Sequence, residues 1–412
     1  MISHRISGAA LAAVLVAFPS AADEKVTPNY ISLPGTDTKL KIYGVAWINS
    51  WYYFNQNLGD ASTLIAGQAN PLDAHATPDG QYGMTARYSR LGFTTTTPSA
   101  RLGDITTLVE MDFTKDQGKN GGFSLRHAYV AFGNWTVGYT WSNWLDLDAN
   151  PETVDMNGPV GQACNGSSRF TQVRYRVPMT QRSSLAFSVE QNRMGWSKFP
   201  SDVVRPTDTP ATTLPDARYP TPTAAYTFAD DWGHLALRAM GQNYGVYAPG
   251  TASAAGFRSS RWGGGVQLSG TVKLGQDKLV GSVYTGRGLG EYGVGIQAMR
   301  FVPTGQEELL LFRNYGWQAG YTHAWTSQVR SNLVVSGMGY SNDAAVQPAC
   351  IRNSMNYFAN TYVKLTRNVE LGMEYGYENL HTFGANAVTT HGGTLSDHNR
   401  SNKLQMSLTA TF

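Results

Sequence analysis

The chain has 412 residues, 42% of them hydrophobic and only 15% charged, with a formal net charge of +3. A balance so close to neutral carries no strong inference about nucleic acid, and no nucleic-acid partner is assigned; after position 22 no run of about 20 apolar residues occurs, which excludes helical membrane spans. With 44 Gly, 22 Tyr, 16 Phe and 10 Trp and little helical periodicity, two architectures remain: a large exported β fold or an outer-membrane barrel.

Residues 1–22 read as a cleaved secretory signal, with His4 and Arg5 before an apolar core at 6–18 and small residues, Ser20-Ala21-Ala22, at the cleavage site. That core is too short to anchor the chain as a membrane helix. Residues 23–38 form a short polar lead on the periplasmic side, and 39–412 the β domain. Strands are expected at 39–55, 84–97, 104–115, 123–132, 135–141, 169–177, 183–191, 220–229, 234–247, 259–274, 278–286, 314–325, 328–341, 354–365, 369–379 and 402–412. These sixteen make an even number, as single-chain bacterial barrels require.

The connections alternate: 56–83, 142–168, 192–219, 248–258, 287–313, 342–353 and 380–401 are long, whereas 98–103, 178–182, 230–233, 275–277, 326–327 and 366–368 are short. Long outer loops and short periplasmic turns give a membrane barrel this rhythm, and a soluble sandwich has no reason to show it.

Side-chain alternation sets the faces. Val369, Leu371, Met373, Tyr375 and Tyr377 alternate with Glu370, Glu374 and Glu378; Val173, Tyr175 and Val177 alternate with Gln172, Arg174 and Arg176. A cation facing lipid at mid-depth costs roughly 2–4 kcal/mol, so Arg90, Arg126, Arg174, Arg176 and Arg238 are expected inside, along with Glu110 and Asp112. Strand 328–341 can be phased either way, and His127 falls on the outer face of its strand. Trp135, Tyr139, Trp141, Trp317, Tyr321 and Trp325 stand at strand ends, where an interfacial girdle would sit. The chain ends in an alternating strand that stops at Phe412.

Segment 142–163 is too long for a hairpin and carries Asp146, Asp148, Glu152 and Asp155. Asn150-Pro151-Glu152 has the form of a helix start and Asn157-Gly158-Pro159 of a stop. Loops of this length in a compact β fold are usually functional, and this one is expected to fold into the barrel and constrict it. The arginines would then form an electropositive wall facing an acidic loop, with pairing between the two as the plainer alternative.

Other motifs carry less. Cys164 and Cys350 fall in two outer loops, where an oxidising compartment permits a bridge or two free thiols. His381, His391 and His398 match no metal-ligand frame, so no metal site is assigned. Gly288-x-Gly290-x-x-Gly293 matches a dinucleotide fingerprint but follows no βαβ unit and reads as chance. Glu110 and Asp112 mimic a glycosidase pair without a positioned nucleophile and base, so no catalytic residue and no cofactor are assigned.

The chain resembles the DcaP-like family of trimeric outer-membrane porins through Lys41-Ile42-Tyr43-Gly44, Ser89-Arg90-Leu91-Gly92-Phe93, Glu110-Met111-Asp112-Phe113 and Leu125-Arg126-His127-Ala128-Tyr129. The likeness continues through Gly133-Asn134-Trp135, Gly138-Tyr139-Thr140-Trp141-Ser142, Leu145-Asp146-Leu147-Asp148, Pro151-Glu152-Thr153, Asn157-Gly158-Pro159 and Gln172-Val173-Arg174-Tyr175. The specific part covers the first half of the barrel, and beyond Val177 the likeness is architectural. The resemblance implies a sixteen-stranded barrel, three per assembly, with an inward third loop and a preference for small anionic organic solutes. Some members carry an N-terminal coiled coil; residues 23–38 have no heptads, so trimerisation here would rest on the barrel walls. The expectation is therefore an all-β transmembrane antiparallel barrel in the Gram-negative outer membrane, a homotrimer in contact with lipid, passing small hydrophilic solutes. The alternatives are an outer-membrane hydrolase and a plugged structural or adhesive barrel.

Overall fold

The computed structural model describes residues 30–55, 80–115, 122–161, 168–192, 203–204, 214–250, 256–293, 299–302, 308–341, 351–382 and 398–412. The expected signal segment 1–22, Cys164, Cys350 and His391 lie outside these residues, and the expected lead 23–38 is described only from 30.

Sixteen antiparallel strands close into one barrel. They are β1 (Lys39–Asn55), β2 in two pieces (Gln81–Thr85 and Arg90–Thr97), β3 (Ile105–Asp112), β4 (Ser124–Phe132), β5 (Trp135–Trp141), β6 (Arg169–Pro178), β7 (Ser183–Glu190) and β8 (Thr221–Asp230). The second half comprises β9 (Gly233–Ala248), β10 (Phe257–Leu274), β11 (Asp277–Arg287), β12 (Arg313–Ala324), β13 (Val329–Tyr340), β14 (Ile351–Lys364), β15 (Val369–Thr382) and β16 (His398–Thr411). Each pairs with its sequence neighbour, and β16 returns to β1, with Val45 opposite Thr411 and Tyr52 opposite Leu404. Closure leaves no barrel edge to aggregate, and sixteen strands leave a bore wide enough for water.

The wall is inside-out relative to a soluble protein. Leu235, Leu237, Val266, Leu268, Val283 and Leu333 are exposed on the outer face, while Asn49, Gln267, Asn332, Ser336, Asn356, Glu374 and Gln405 are buried within. On β13 this settles the phase that sequence leaves open: Asn332, Val334 and Ser336 turn inward and Leu333 outward.

Two local departures follow from hydrogen bonding. The expected strand at 84–97 breaks at 86–89, where the Ser89 hydroxyl accepts from the Trp47 amide at 3.0 Å in place of a ladder carbonyl. On β4 the register shifts, so that Glu110 opposes His127 and Met111 opposes Leu125. Arg126 is the extra residue of this bulge, and it brings both Arg126 and His127 to the bore; strict alternation had put His127 outside.

Candidate functional site

The bore is narrowed by the segment that follows β5. The expected helix at 150–157 does not form. A single 3₁₀ turn stands earlier, at Leu147–Ala149, and Asn150 closes it, its amide reaching the Leu147 carbonyl. Beyond that turn the loop has no helix but bends and turns at 154–157, where the Gly158 amide reaches the Asp155 carbonyl at 3.1 Å, and its other polar groups are taken up by the wall.

The loop's base is organised by Glu190 at the end of β7. Its carboxylate accepts from Ser142 Oγ (2.8 Å), the Asn143 amide (2.9 Å), Ser188 Oγ (2.8 Å) and Tyr292 Oη (3.1 Å). Next, Asp146 Oδ2 meets Ser269 Oγ at 2.6 Å, His234 Nε2 at 3.0 Å and Arg238 Nη2 at 3.4 Å, while Arg238 Nη1 donates to the Asn143 carbonyl. Burial by itself would raise the Asp146 carboxyl, but the Arg238 charge and the Ser269 and His234 hydrogen bonds outweigh it and hold it below the usual carboxylate range.

Glu152 is gripped by Arg330 on β13, Nη2 to Oε1 at 2.5 Å and Nε to Oε2 at 2.8 Å, and Arg330 also binds Glu370. This fork geometry suits guanidinium and carboxylate. Here too burial pushes the acid upward, and the Arg330 hydrogen bonds and charge bring it below its ordinary value. At the far wall Asp155 Oδ2 receives Lys403 Nζ at 2.6 Å with both side chains fully buried. The Val154 and Asp155 amides donate to Glu374 Oε2 and Oε1 at 2.8 and 2.9 Å. The segment then returns to the wall beside Trp317 and Gly337, where any side chain at Gly161 would collide with backbone.

An apolar cluster inside the barrel braces this arch: Trp144, Leu145 and Val160 from the loop pack with Phe170, Leu289, Tyr292 and Phe312. The glycine motif at 288–293, which reads as chance in the sequence, has a structural role here. Gly288 and Gly290 take positive φ (63° and 52°), and a 3₁₀ turn at Gly290–Tyr292 turns Leu289 and Tyr292 into the cluster. Tyr292 stacks on Phe170 at 4.7 Å, and its carbonyl accepts from Trp144 Nε1 at 3.0 Å.

Because the loop is drawn onto β7–β16, the opposite wall is left open. Between the two lies a cavity of about 430 Å³, lined on the wall side by Trp47, Arg90, Glu110, Arg126, His127 and Trp141 and on the loop side by residues from Leu145 to Pro159. Arg126 is buried and divided between Glu110 (2.9 Å) and Asp112 (2.7 Å), so these two acids are tied to a guanidinium. Arg90 lies 5.3 Å from the Trp47 ring and has no ion pair among the described residues. Arg169 stacks on Trp141 at 3.6 Å. Trp141, expected in the girdle, thus faces the bore instead, whereas Trp135 and Trp325 stand exposed on the outside.

The structure therefore brings Arg90, Arg126, Glu110 and Asp112 together on the open wall, across the cavity from the loop. Glu152 and Asp155 line the loop side of that cavity, across from Arg90 and Arg126, while the ion pairs of Asp146, Glu152 and Asp155 run to Arg238, Arg330 and Lys403. Asp148 is exposed and has no ion pair among the described residues. Arg174 is held below the cavity by the Trp141 carbonyl (2.5 Å) and Gln172 (3.0 Å), and Arg176 is exposed near the short turn. Alternation puts Arg238 and Glu374 inside, whereas the anchoring roles of Glu190, Arg330, Lys403 and Tyr292 are set by partners distant in the chain. Alternation alone could have shown Lys403 on the inner face, between lipid-facing neighbours.

A family model described as the DcaP outer membrane protein matches residues 20–396. Among solved structures, the outer membrane channel DcaP of Acinetobacter baumannii aligns with a TM-score of 0.72 at 20% identity, over 91% of this chain and 97% of that one. An anion-selective porin from Comamonas acidovorans aligns at 0.57 with 11% identity over 91% and 100% of the two chains. The in-vitro folded trimer form of OmpT of Vibrio cholerae aligns at 0.54 with 10% identity over 91% and 99%. No curated protein sequence matches the chain significantly.

Proposed function

The chain belongs to the DcaP outer membrane protein family, an outer-membrane barrel of the porin type, and from that premise we propose that it passes small hydrophilic solutes with a preference for small organic anions. The observation that carries the preference is the asymmetry of charge at the narrowing. Three of the loop's acids take their ion pairs from the far wall, while on the open wall Arg90 lines the cavity beside the Arg126–Glu110–Asp112 group without an ion pair among the described residues. Charged side chains around a narrow waist set which ions enter, and a guanidinium standing outside the local ion pairs favours anions. The indole faces of Trp47 and Trp141 beside those cations suit the carbon skeleton of an organic acid.

The mechanism is diffusion down a gradient, limited in size by loop 142–163, with no cofactor and no covalent step. The homotrimer is part of the same proposal, supported by the resemblance in the first half of the barrel and by the trimeric form of one structural neighbour. So is the cleaved signal 1–22, supported by its charge and apolar pattern.

Single-channel recording in a planar bilayer under a salt gradient tests the reading. Insertion in steps of three with a zero-current potential of anionic sign supports it. A cationic sign overturns the solute class, and silent insertion overturns permeation in favour of a plugged barrel.

A further inference from the structure

Two arginines meet on the outer wall. Arg287 is the last residue of β11 and Arg313 the first of β12, on either side of a long loop, and they are direct register partners. Their face is the lipid-facing one: on β11, Val283 is 51% exposed while Tyr284 is buried in the bore, and Arg287 shares the phase of Val283. Both guanidinium groups are exposed and have no ion pair or hydrogen bond among the described residues. Like charges directly opposite on adjacent strands repel, so this pair costs the sheet stability unless an anion lies between them.

Beside the pair runs an open groove of about 600 Å³. Its floor is low because Arg287 has Gly264 as its register partner on β10, and its side is formed by Trp262 and Val266, both more than half exposed. Two guanidinium groups placed where the long loops begin suit phosphate at headgroup depth, and the apolar groove suits hydrocarbon. We propose that this face docks a phosphorylated glycolipid of the outer leaflet, its phosphate bridging Arg287 and Arg313 and an acyl chain lying along Trp262. A free anion would leave the groove unfilled, and a zwitterionic phospholipid would return a positive charge to the pair.

Native mass spectrometry of the purified full chain in detergent, titrated with bis-phosphorylated hexa-acylated lipid A, tests this. Retention is expected to weaken at least tenfold for phosphate-free lipid A, for phosphatidylethanolamine and for Arg287→Gln with Arg313→Gln. The double variant should keep its single-channel conductance, since neither residue faces the bore. If it fails to fold, Arg287→Lys with Arg313→Lys keeps the charge but loses the planar fork, and several-fold weakening is expected. Equal retention of lipid A by the wild type and the variants, or displacement by inorganic phosphate at equal concentration, overturns the proposal. So does disulfide pairing of Arg287→Cys chains in native membranes, which would show a second copy covering this face.

Discussion

Lys403 and Asp155 meet at 2.6 Å with no solvent exposure, the most deeply buried ion pair among the described residues. A buried pair is a modest net stabiliser, but deleting one partner strands the other and costs about 3–5 kcal/mol. Lys403→Met is therefore expected to lower stability by about that amount, measured by denaturant titration of the heat-modifiable band, with Asp155→Asn restoring part of it. Arg90 tests selectivity instead, because it lines the cavity without an ion pair among the described residues. Arg90→Glu moves the local charge by two units, roughly 1–2 kcal/mol per permeating anion at high dielectric, so the anion/cation permeability ratio should fall about five- to thirtyfold. Arg174→Glu with Arg176→Glu should shift the zero-current potential less, since one is fastened to the Trp141 carbonyl and the other stands near the short turn. At this scale the inward direction of Arg126 was legible from period-two alternation. That of His127 was not, since a bulge changes the phase by one residue with no mark in composition.

The constriction loop was legible as an element from its length and acids, but its conformation and partners were not. Asn150-Pro151-Glu152 satisfies every local rule for a helix start, yet Glu152 is claimed by Arg330, 178 positions along the chain, and the amides of Val154 and Asp155 by Glu374. Local propensity is worth a few tenths of a kcal/mol per residue, less than one charge-assisted anchor of about 1.5–3 kcal/mol. These anchors also fix how the loop responds to acid. Asp146 and Glu152 both titrate below their ordinary values in the folded state. A carboxyl depressed by folding contributes stability that is complete above its unfolded value of about 4 and is lost as pH falls through the lower folded value. Single-channel current is therefore expected to be steady from pH 7 to about 5 and to become noisy, with larger openings, near pH 3. A trace equally quiet at pH 3 would mean that the apolar brace around Trp144 and Tyr292, rather than the ion pairs, holds the arch.

The barrel as a whole was the most legible level, because its signal is spread over the chain: alternating faces in strand after strand and a long–short rhythm of connections that no single bulge or broken strand disturbs. Closure depends on one seam. Along it, β16 lies on β1, and beyond the last ladder pair Gly44 and Phe412 exchange amide–carbonyl bonds at 3.2 and 3.1 Å. The Phe412 ring occupies the space that a side chain at position 44 would fill, with the Arg90 carbonyl on its other side. Gly44→Val must therefore displace the ring or open the seam, and a barrel has no stable half-closed form because the freed backbone groups would face lipid. The fraction migrating as the compact form in unheated SDS gels is expected to fall severalfold in Gly44→Val. Adding Phe412→Ala should restore part of it, since the Arg90 carbonyl still opposes the new methyls; full compaction of the single variant would show that the ends of β1 and β16 are not what closes the cylinder.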